Sequence, residues 1–378
     1  MRLLHTSDWH VGKLMRGASR ADEHRAVLAE MSRIAGDESV DLVLVAGDLF
    51  ETSAPGPESE QVVYRGLLDL AQVAPVLVVA GNHDNARRLE AVAPLLTLGR
   101  VRVLTQVARP DEGGVARFEA GGVPVQVAML PFVSKRGIVR ADALMRDDAY
   151  QLSQAYTERL GVLVRALTHG FAGDTVNVVC AHAFAAGGTM GGGERSVHTI
   201  EDYSLSALAF PVTAQYVALG HLHRSQDVPG PTRIRYSGSP LQLDFGETAD
   251  VKSVTLVDLE PGVPASVREV RLESGRRLRT LRGPMADLEA LSGTTADDFL
   301  RVVVTERRRA GLADEVRSLF PHCVDVLVQS PDEAVAATHA PVAGRSPGEL
   351  FRSYLGASDL DDARLVSAFD ELLEEVGS

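Results

Sequence analysis

The first hundred residues are organised by three strand-like runs, at 3–7, 42–46 and 76–80, each of which ends abruptly in polar residues. Short runs of this kind, rich in valine and leucine, are typical of buried strands. Between them, at about 21–35 and 58–71, apolar residues recur with helical spacing. This β-α-β-α-β alternation predicts an α/β fold built on a doubly wound sheet with right-handed crossovers.

Beyond Pro94 the pattern changes to shorter strands joined by glycine-containing turns. We expect one long helix from about 141 to 167. A break rich in proline and glycine at 261–264 closes this first unit, which we place at 1–265. Its further strands are expected at 101–104, 115–119, 123–130, 176–181, 216–219, 233–237 and 253–259.

The remainder of the chain predicts a smaller α+β unit at 266–330, a linker at 331–347 and helices at 348–378. The last segment has helical periodicity and carries eight acidic and two basic residues. Because such a segment cannot bury its apolar stripe alone, we expect it to pack on the body or on a partner. The elements expected in the small unit are strands at 267–272, 299–305 and 323–328 and helices at 284–291 and 312–320.

Composition restricts the partners and the location of the protein. A net charge of −13 over 378 residues disfavours a freestanding, non-specific nucleic-acid binder, although local patches, bound metal ions or a partner are compatible with DNA binding. No apolar run approaches the roughly 20 residues that span a bilayer, and residues 1–8 turn polar too soon for a signal peptide, so we expect a cytoplasmic protein. The only cysteines, Cys180 and Cys323, are expected to be reduced thiols.

Five polar motifs follow predicted strands, and together they offer a set of metal-binding side chains. Two carboxylates, one amide and four imidazoles can serve as ligands, with a fifth imidazole left over. This mixture of oxygen and nitrogen suits Mn²⁺, Fe²⁺ or Zn²⁺ better than calcium. The motifs are Asp8-x-His10, Gly47-Asp48, Gly81-Asn82-His83-Asp84, His182 and Gly220-His221-x-His223.

The spacing within the motifs is suited to phosphoryl transfer. Two residues separated by one position at a strand end point to the same face, so each paired motif can converge on one site. A carboxylate such as Asp48 can bridge two ions about 3.5–4 Å apart, and such ions lower the pKa of a shared water and neutralise phosphate charge. Each motif alone is a weak signal, whereas all five at strand ends are a strong one.

The five motifs resemble those of the calcineurin-like metallophosphoesterases, which run DxH, GD, GNH(D/E), H and GHxH. Longer blocks at 5–12, 45–50, 81–84, 218–224 and 235–240 are similar to the SbcD family of bacterial double-strand-break repair nucleases. The layout is similar over essentially the whole chain, but the likeness is specific only in the first 260 residues. It implies a β-sandwich flanked by helices, a small α+β capping domain and C-terminal helices.

The resemblance also implies roles for single residues. One metal ion would be held by Asp8, His10, Asp48 and His223, and a second by Asp48, Asn82, His182 and His221. The remaining imidazole, His83, would stay off the metals and act near the scissile phosphate as a general acid or phosphate stabiliser, a task suited to histidine. The two divalent ions implied by the family are manganese.

Four further residues are weaker candidates. Glu51 stands where archaeal relatives carry a second histidine, so that imidazole is absent here, and Glu51 is a candidate for proton transfer or orientation. Asp84 is expected either to orient His83 or to cap the helix that follows. Lys13 and Arg16 are either contacts to DNA phosphates or parts of a solvated loop.

The resemblance implies a Mn-dependent double-strand exonuclease and single-strand or hairpin endonuclease that acts in DNA repair. It would be the catalytic part of a complex with an SbcC-type ABC ATPase bound through the C-terminal helices, as a homodimer within a heterotetramer. One alternative is a phosphodiesterase or phosphatase for small or protein substrates, which would not need the extra domain and tail. The other is a non-catalytic scaffold for the ATPase, which would not need a complete set of metal ligands.

Overall fold

The computed structural model describes residues 1–134, 149–191 and 204–329, together with 348, 351–352, 354–355 and 364–369. The helices are α1 (Ala21–Asp37), α2 (Pro57–Val73), α3 (Ala86–Leu98), α4 (Ala149–Thr168), α5 (Met285–Glu289) and α6 (Leu312–Leu319). The strands are β1 (Arg2–Thr6), β2 (Leu42–Val45), β3 (Val76–Val79), β4 (Val101–Leu104), β5 (Val115–Ala120), β6 (Val123–Leu130), β7 (Val176–His182), β8 (Tyr216–Gly220), β9 (Gln226–Val228), β10 (Arg233–Tyr236), β11 (Ser253–Asp258), β12 (Ser266–Arg271), β13 (Leu278–Gly283), β14 (Phe299–Val304) and β15 (Cys323–Val328).

Two six-stranded sheets form the body of the protein. The first has the order β12-β11-β1-β2-β3-β4 and the second the order β5-β6-β7-β8-β10-β9. Apolar side chains from both sheets, including Leu44 and Val79 from one and Met129, Cys180 and Ala218 from the other, form one buried cluster. The β-sandwich that the resemblance implied is therefore confirmed, whereas the doubly wound sheet predicted from the β-α alternation is wrong, because the inner face of each sheet packs on the other sheet and not on helices.

Helices cover the outer faces of both sheets. Val27 of α1 and Leu67 of α2 belong to the cluster that covers the first sheet. Leu160 and Val164 of α4 belong to the cluster that covers the second. Because apolar residues line both faces of the central strands, runs such as β2 and β3 are buried throughout, which explains why their sequences do not alternate.

Parallel pairing brings the polar ends of the strands to one edge. β1, β2 and β3 run parallel in the first sheet, and β6, β7 and β8 run parallel in the second. The residues that follow β1, β2, β3 and β8, and the last residue of β7, therefore lie at the same end of the sandwich. Crevices at the carboxyl ends of parallel strands are the usual ligand sites of such sheets.

A third sheet of three parallel strands, β13-β14-β15, forms the smaller unit. Leu281, Leu288, Val302 and Val316 are members of the separate apolar core that it shares with α5 and α6. The predicted linker at 331–347 lies outside the described residues, as does most of the predicted helical segment at 348–378. Within the described pieces of that segment, the Phe351 and Phe369 rings stack with centroids 4.0 Å apart.

The structure corrects the sequence prediction at several elements. The strand expected at 267–272 as part of the smaller unit is β12, and it pairs with β11 in the first sheet. The smaller sheet begins instead at β13, which the prediction missed, as it missed the short edge strand β9. The prediction allowed a helix after Asp84 but expected the pattern to change at Pro94, whereas α3 continues past Pro94 to Leu98.

Two further observations concern the expected location and redox state. Among the described parts of the chain, no helix is long and apolar enough to cross a membrane. Cys180 and Cys323 are both free, as expected. Cys180 is fully buried on β7, and burial raises the pKa of its thiol far above the ordinary value.

Candidate metal centre

The backbone adopts unusual conformations in the motifs that follow the strands. Asp8, His10, Asp48 and His221 all have positive φ angles, of 53°, 47°, 51° and 116°. Residues with a side chain adopt such conformations at a cost of about 1–3 kcal/mol each, and they cluster at functional sites. The two loops after β1 and β2 are also tied together, since the amide of His10 donates to the carbonyl of Asp48 over 3.0 Å.

Two glycines in the motifs are required by close packing of these loops. A Cβ on Gly81 would overlap the carboxylate and amide of Asp48. A Cβ on Gly47 would overlap the His182 ring, and Gly47 also has a φ of 89°, which favours glycine. The glycines of the motifs therefore let three loops approach closely enough for their polar side chains to meet.

Asp8, His10 and His223 form the first cluster of donor atoms, and all three are buried. The Nε2 atoms of His10 and His223 lie 3.2 Å apart. Both carboxylate oxygens of Asp8 lie 3.1 Å from the amide nitrogen of His221, and the Ser7 hydroxyl donates to Asp8 over 2.6 Å. Three ligand atoms from two strand ends are thus fixed around one point.

Asn82, His182 and His221 form a second cluster beside the first. The Oδ1 atom of Asn82 lies 2.9 Å from Nε2 of His182 and 2.9 Å from Nδ1 of His221. The two histidine nitrogens are themselves 3.3 Å apart. The structure therefore brings together three of the four side chains that the resemblance assigned to a second metal ion.

Asp48 lies between the two clusters. Its Oδ2 atom is 3.6 Å from Nε2 of His10 and 3.5 Å from Nε2 of His182, and its Oδ1 atom accepts the main-chain amide of His83 over 2.8 Å. Burial, together with the nearby carboxylates of Asp84 and Asp8, raises the pKa of Asp48 well above its usual range. A bound cation would offset this cost by favouring the ionised carboxylate.

The hydrogen bonds around the histidines show that the donor set fits a divalent cation. Nδ1 of His10, of His223 and of His182 lies 2.8–3.0 Å from an acceptor oxygen, of Glu51, Glu247 and the Ala46 carbonyl respectively. In a neutral ring, the donating Nδ1–H leaves a lone pair on Nε2. The two Nε2 lone pairs of the first cluster then face each other, and the Nε2 of His182 faces the amide oxygen of Asn82. Such contacts between acceptors are favourable only with a cation between them.

The charge states of the rings agree with this interpretation. Burial lowers the pKa of His10 to about 3, against the opposing effect of Glu51, and burial lowers the pKa of His182 to about 3. Both rings are therefore neutral at pH 7, which is the form that binds a metal ion.

His83 lies beside the first cluster. Its ring packs edge-on against His10, with centroids 4.6 Å apart, and it can reach a common point with His10 and Asp48. Its Nδ1 lies 2.7 Å from the main-chain carbonyl of Glu51, to which it donates. His83 is thus placed to touch either a metal ion or a phosphate bound to one, and its assignment to the phosphate stays a prediction.

Glu51 contacts three members of this region. Its carboxylate pairs with Nδ1 of His10 at 3.0 Å and with Nζ of Lys13 at 2.9 Å, while its carbonyl holds His83. Burial opposes ionisation of Glu51, but the bonds from His10 and Lys13 outweigh it and lower the pKa to about 2. A carboxylate that stays ionised in this way is suited to orienting its neighbours rather than to passing protons.

The other weak candidates have partners of a different kind. The Asp84 carboxylate accepts the main-chain amides of Gly81, Leu49 and Phe50 at 2.9–3.3 Å, which ties the second and third motif loops together. The expectation that Asp84 caps the next helix is wrong, because Asn85 is the N-cap residue of α3. Arg16 pairs with Asp325 of the smaller unit at 3.3 Å.

Sequence reasoning missed one buried carboxylate of the site, Glu247. Its Oε1 lies 3.0 Å from Nδ1 of His223, and its side chain is fully buried. Burial raises the pKa of Glu247, but His223 and Lys252 outweigh this effect and lower it to about 2. Glu247 ends a short 3₁₀ helix, Phe245–Glu247, and follows no strand, so it carries none of the signals by which the other site residues were found.

Comparisons with known proteins agree with this geometry. Residues 1–225, which contain all five motifs, match the calcineurin-like phosphoesterase family. The chain is 37% identical over 284 residues to the SbcD component of the SbcCD nuclease of Bacillus subtilis, a match that covers 74% of this chain and 71% of the relative. The corresponding protein of Rhodobacter capsulatus is 35% identical over 274 residues, covering 69% and 67%, and that of Escherichia coli K12 is 29% identical over 303 residues, covering 77% and 73%. The chain therefore belongs to the calcineurin-like phosphoesterase family and, within it, to the SbcD nucleases.

Proposed function

We propose that this chain is a metal-dependent phosphodiesterase that cleaves DNA, as the nuclease component of an SbcCD-type complex. The observation that carries the proposal is the position of Asp48, whose carboxylate lies within 3.6 Å of histidine nitrogens from both clusters of donor atoms. One shared carboxylate between two donor sets is the arrangement of two-metal phosphoesterases. The relatives, which are named as components of a nuclease, indicate DNA as the substrate.

The residues divide the work as follows. Asp8, His10, Asp48 and His223 hold one divalent ion, and Asp48, Asn82, His182 and His221 hold the other. When bound, the ions supply a lowered pKa for water and charge neutralisation for the phosphate. His83 donates a hydrogen bond or a proton to the phosphate oxygens through Nε2, because its Nδ1 is held by the Glu51 carbonyl.

The metal we propose is manganese. The donor atoms are imidazole nitrogens, carboxylate oxygens and an amide oxygen, a mixture that accommodates Mn²⁺. No cysteine takes part in the clusters of metal-binding side chains among the described residues, so a preference for soft thiolate chemistry has no support.

The proposed partners are DNA, an SbcC-type ABC ATPase and a second copy of the chain. We propose that the C-terminal helical segment at 348–378 docks on the ATPase. Stacking of Phe351 on Phe369 shows that its described pieces pack on each other, while Tyr354 and Leu365 remain 62% and 44% exposed. Exposed apolar side chains of this kind are available for contact with a partner protein.

Of the two candidates for contact with DNA, we propose Arg16 rather than Lys13. Both side chains are ion-paired, but Lys13, which pairs with the Glu51 carboxylate at 2.9 Å, is only 25% exposed. Arg16 has a half-exposed side chain and bridges the loop after β1 to β15 at the smaller unit. We propose that the sheet β13–β15 is the capping unit, which places this arginine where the cap meets the catalytic body.

The experiment compares two substrates. Linear duplex DNA and a small bis-aryl phosphodiester are incubated with the EDTA-treated protein, with and without added Mn²⁺. We expect Mn²⁺-dependent degradation of the DNA. Hydrolysis of the small ester alone would favour the alternative of a small-molecule phosphodiesterase. A protein that does not bind Mn²⁺ would favour the other alternative, a non-catalytic scaffold for the ATPase.

A further inference from the structure

We infer that Glu247 is the positioning residue of His223, and that the turn carrying it links the three-stranded unit to the metal centre. The inference rests on the proposed two-metal site, since His223 is one of its ligands. Neither the motifs nor the comparisons assign any role to Glu247.

The Glu247 carboxylate determines which nitrogen of His223 can bind a metal. Its Oε1 accepts from Nδ1 of His223 over 3.0 Å, so Nε2 is the nitrogen turned toward His10. Carboxylates that accept from the outer nitrogen of a metal-binding histidine fix its tautomer and its ring orientation and raise its basicity. Glu247 makes this contact to His223 as Glu51 makes it to His10.

Glu247 is itself held on its second oxygen. Its Oε2 accepts from Nζ of Lys252 over 2.7 Å and from the amide of Leu243 over 2.9 Å. Lys252 also donates to the main-chain carbonyl of His223 over 3.0 Å. Lys252 therefore holds both the Glu247 carboxylate and the backbone of His223, the histidine that this carboxylate orients.

The turn that carries Glu247 is packed against the smaller unit. Phe245 belongs to an apolar cluster with Leu278 of β13 and Phe299 of β14. The guanidinium of Arg301, also on β14, lies over the Phe245 ring at 4.4 Å from its centroid. Packing against the smaller unit thus holds Phe245, which lies two positions before Glu247 in the chain.

A side-chain amide completes the connection. The Nε2 group of Gln242 donates to the carbonyl of Glu247 over 3.0 Å, and its Oε1 accepts from the amide of Leu278 over 2.7 Å. Gln242 thereby joins the turn directly to the first strand of the smaller sheet. The smaller unit is therefore coupled to the metal centre through the 242–247 segment.

The test measures metal binding rather than activity. EDTA-stripped protein is titrated with Mn²⁺ by isothermal calorimetry, and the parent is expected to bind two ions. In Glu247→Gln, one site should weaken by about 10- to 100-fold while the other keeps its affinity. Phe245→Ala should weaken the same site by a smaller factor, since the carboxylate remains but the turn is less firmly held.

Glu30→Gln is the matched control. Glu30 is also a buried carboxylate, and it accepts the amides of Glu273 and Ser274 at 2.8–3.2 Å rather than a histidine of the metal centre. This variant should keep both Mn²⁺ affinities even where its thermal stability falls. Equal weakening in Glu30→Gln and Glu247→Gln would attribute the effect to general destabilisation and overturn the inference.

Glu247→Asp is a second variant, which tests the inference if Glu247→Gln does not fold. It keeps the charge beside Lys252 but withdraws the carboxylate from His223 by one carbon–carbon bond, so one site should again weaken. Parent-like binding of two ions by the Glu247 variants would overturn the inference and leave the proposed function standing. A parent that binds no Mn²⁺ would overturn both.

Discussion

At the scale of single residues, the site consists of side chains placed to bind a metal ion and of acceptor groups that orient those side chains. His10, His182 and His223 each present Nε2 to the centre because an acceptor oxygen holds Nδ1. The motif spacing predicted the binding side chains. Of the three acceptors, only Glu51 was named beforehand as a candidate for orientation, because the second is a main-chain carbonyl and the third is Glu247 in a short 3₁₀ turn that follows no strand.

Replacing His83 by alanine should separate catalysis from metal binding. We expect kcat for duplex DNA to fall by about 10²- to 10⁴-fold, the usual contribution of a general acid. Mn²⁺ affinity should stay within a few-fold of the parent, since the metal ligands are intact. Steady-state nuclease assays and calorimetric titration check the two parts. DNA cleavage at the parent rate, or the loss of one Mn²⁺ ion, would show that His83 has a different role.

The buried imidazole of His5 should make the protein sensitive to acid. It lies within β1, 2.9 Å from the Tyr216 hydroxyl, and burial lowers its pKa from 6.5 to about 3. Between these values the unfolded chain binds a proton that the folded protein does not. Stability from this residue is therefore complete above pH 6.5 and falls as the pH is lowered, by about 2–3 kcal/mol at pH 4.5.

The measurement for His5 is urea unfolding in EDTA at pH 7.5 and pH 4.5. His5→Gln, which does not titrate, should lose less stability between the two pH values than the parent does. His169→Gln is the control, because His169 is exposed at the end of α4, and its pH dependence should equal that of the parent. A parent-like pH dependence in His5→Gln would contradict the assignment.

At the scale of elements, prediction succeeded where periodicity and packing agree. β2, β3, α1 and α2 are buried along continuous runs or on one helical face, and they were found from the sequence. The extent of α3 was missed because Pro94 lies inside it, where proline normally ends a helix. The proline is tolerated because this face is exposed, so water can satisfy the carbonyl that loses its partner. β13 was missed because two of its six residues are arginine, and its pairing with β14 depends on residues about twenty positions away.

α3 also presents an apolar stripe from which we predict self-association. Leu95 and Leu98 are 70% and 85% exposed, and with Ala91 they follow helical spacing on one face. Replacing both leucines by glutamate should convert the proposed homodimer into a monomer, because charges would enter the apolar contact. Light scattering after size-exclusion chromatography gives the mass. Leu208→Glu, at another exposed leucine, should remain dimeric, and a dimeric Leu95/Leu98 variant would exclude α3 from the interface.

At the scale of the whole molecule, the two-sheet layout followed from the family resemblance of the motifs and not from periodicity, and the connections between units followed from neither. β12 returns to the first sheet by pairing with β11, and nothing local in its six residues distinguishes that pairing from one in the smaller sheet. Connections through Gln242, Phe245 and Arg16 depend on the docking of the smaller unit, which sequence periodicity does not encode. The residues that support the metal centre thus come from many parts of the chain, although its proposed ligands come from five short motifs.

A centre of this composition should make the stability of the whole chain depend on metal. Burial, together with the nearby carboxylates of Asp84 and Asp8, raises the pKa of Asp48, so a cation bound beside Asp8 and Asp48 would offset the cost of ionising it. At a Mn²⁺ concentration a hundred times the dissociation constant, each site should add about 2.7 kcal/mol, and the melting temperature should rise by roughly 5 °C or more. Differential scanning calorimetry with EDTA and with Mn²⁺ gives the shift. His83→Ala should show the same rise, whereas Asp48→Asn, which removes the shared carboxylate, should lose most of it. An Asp48→Asn protein stabilised as strongly as the parent would show that the ions bind elsewhere.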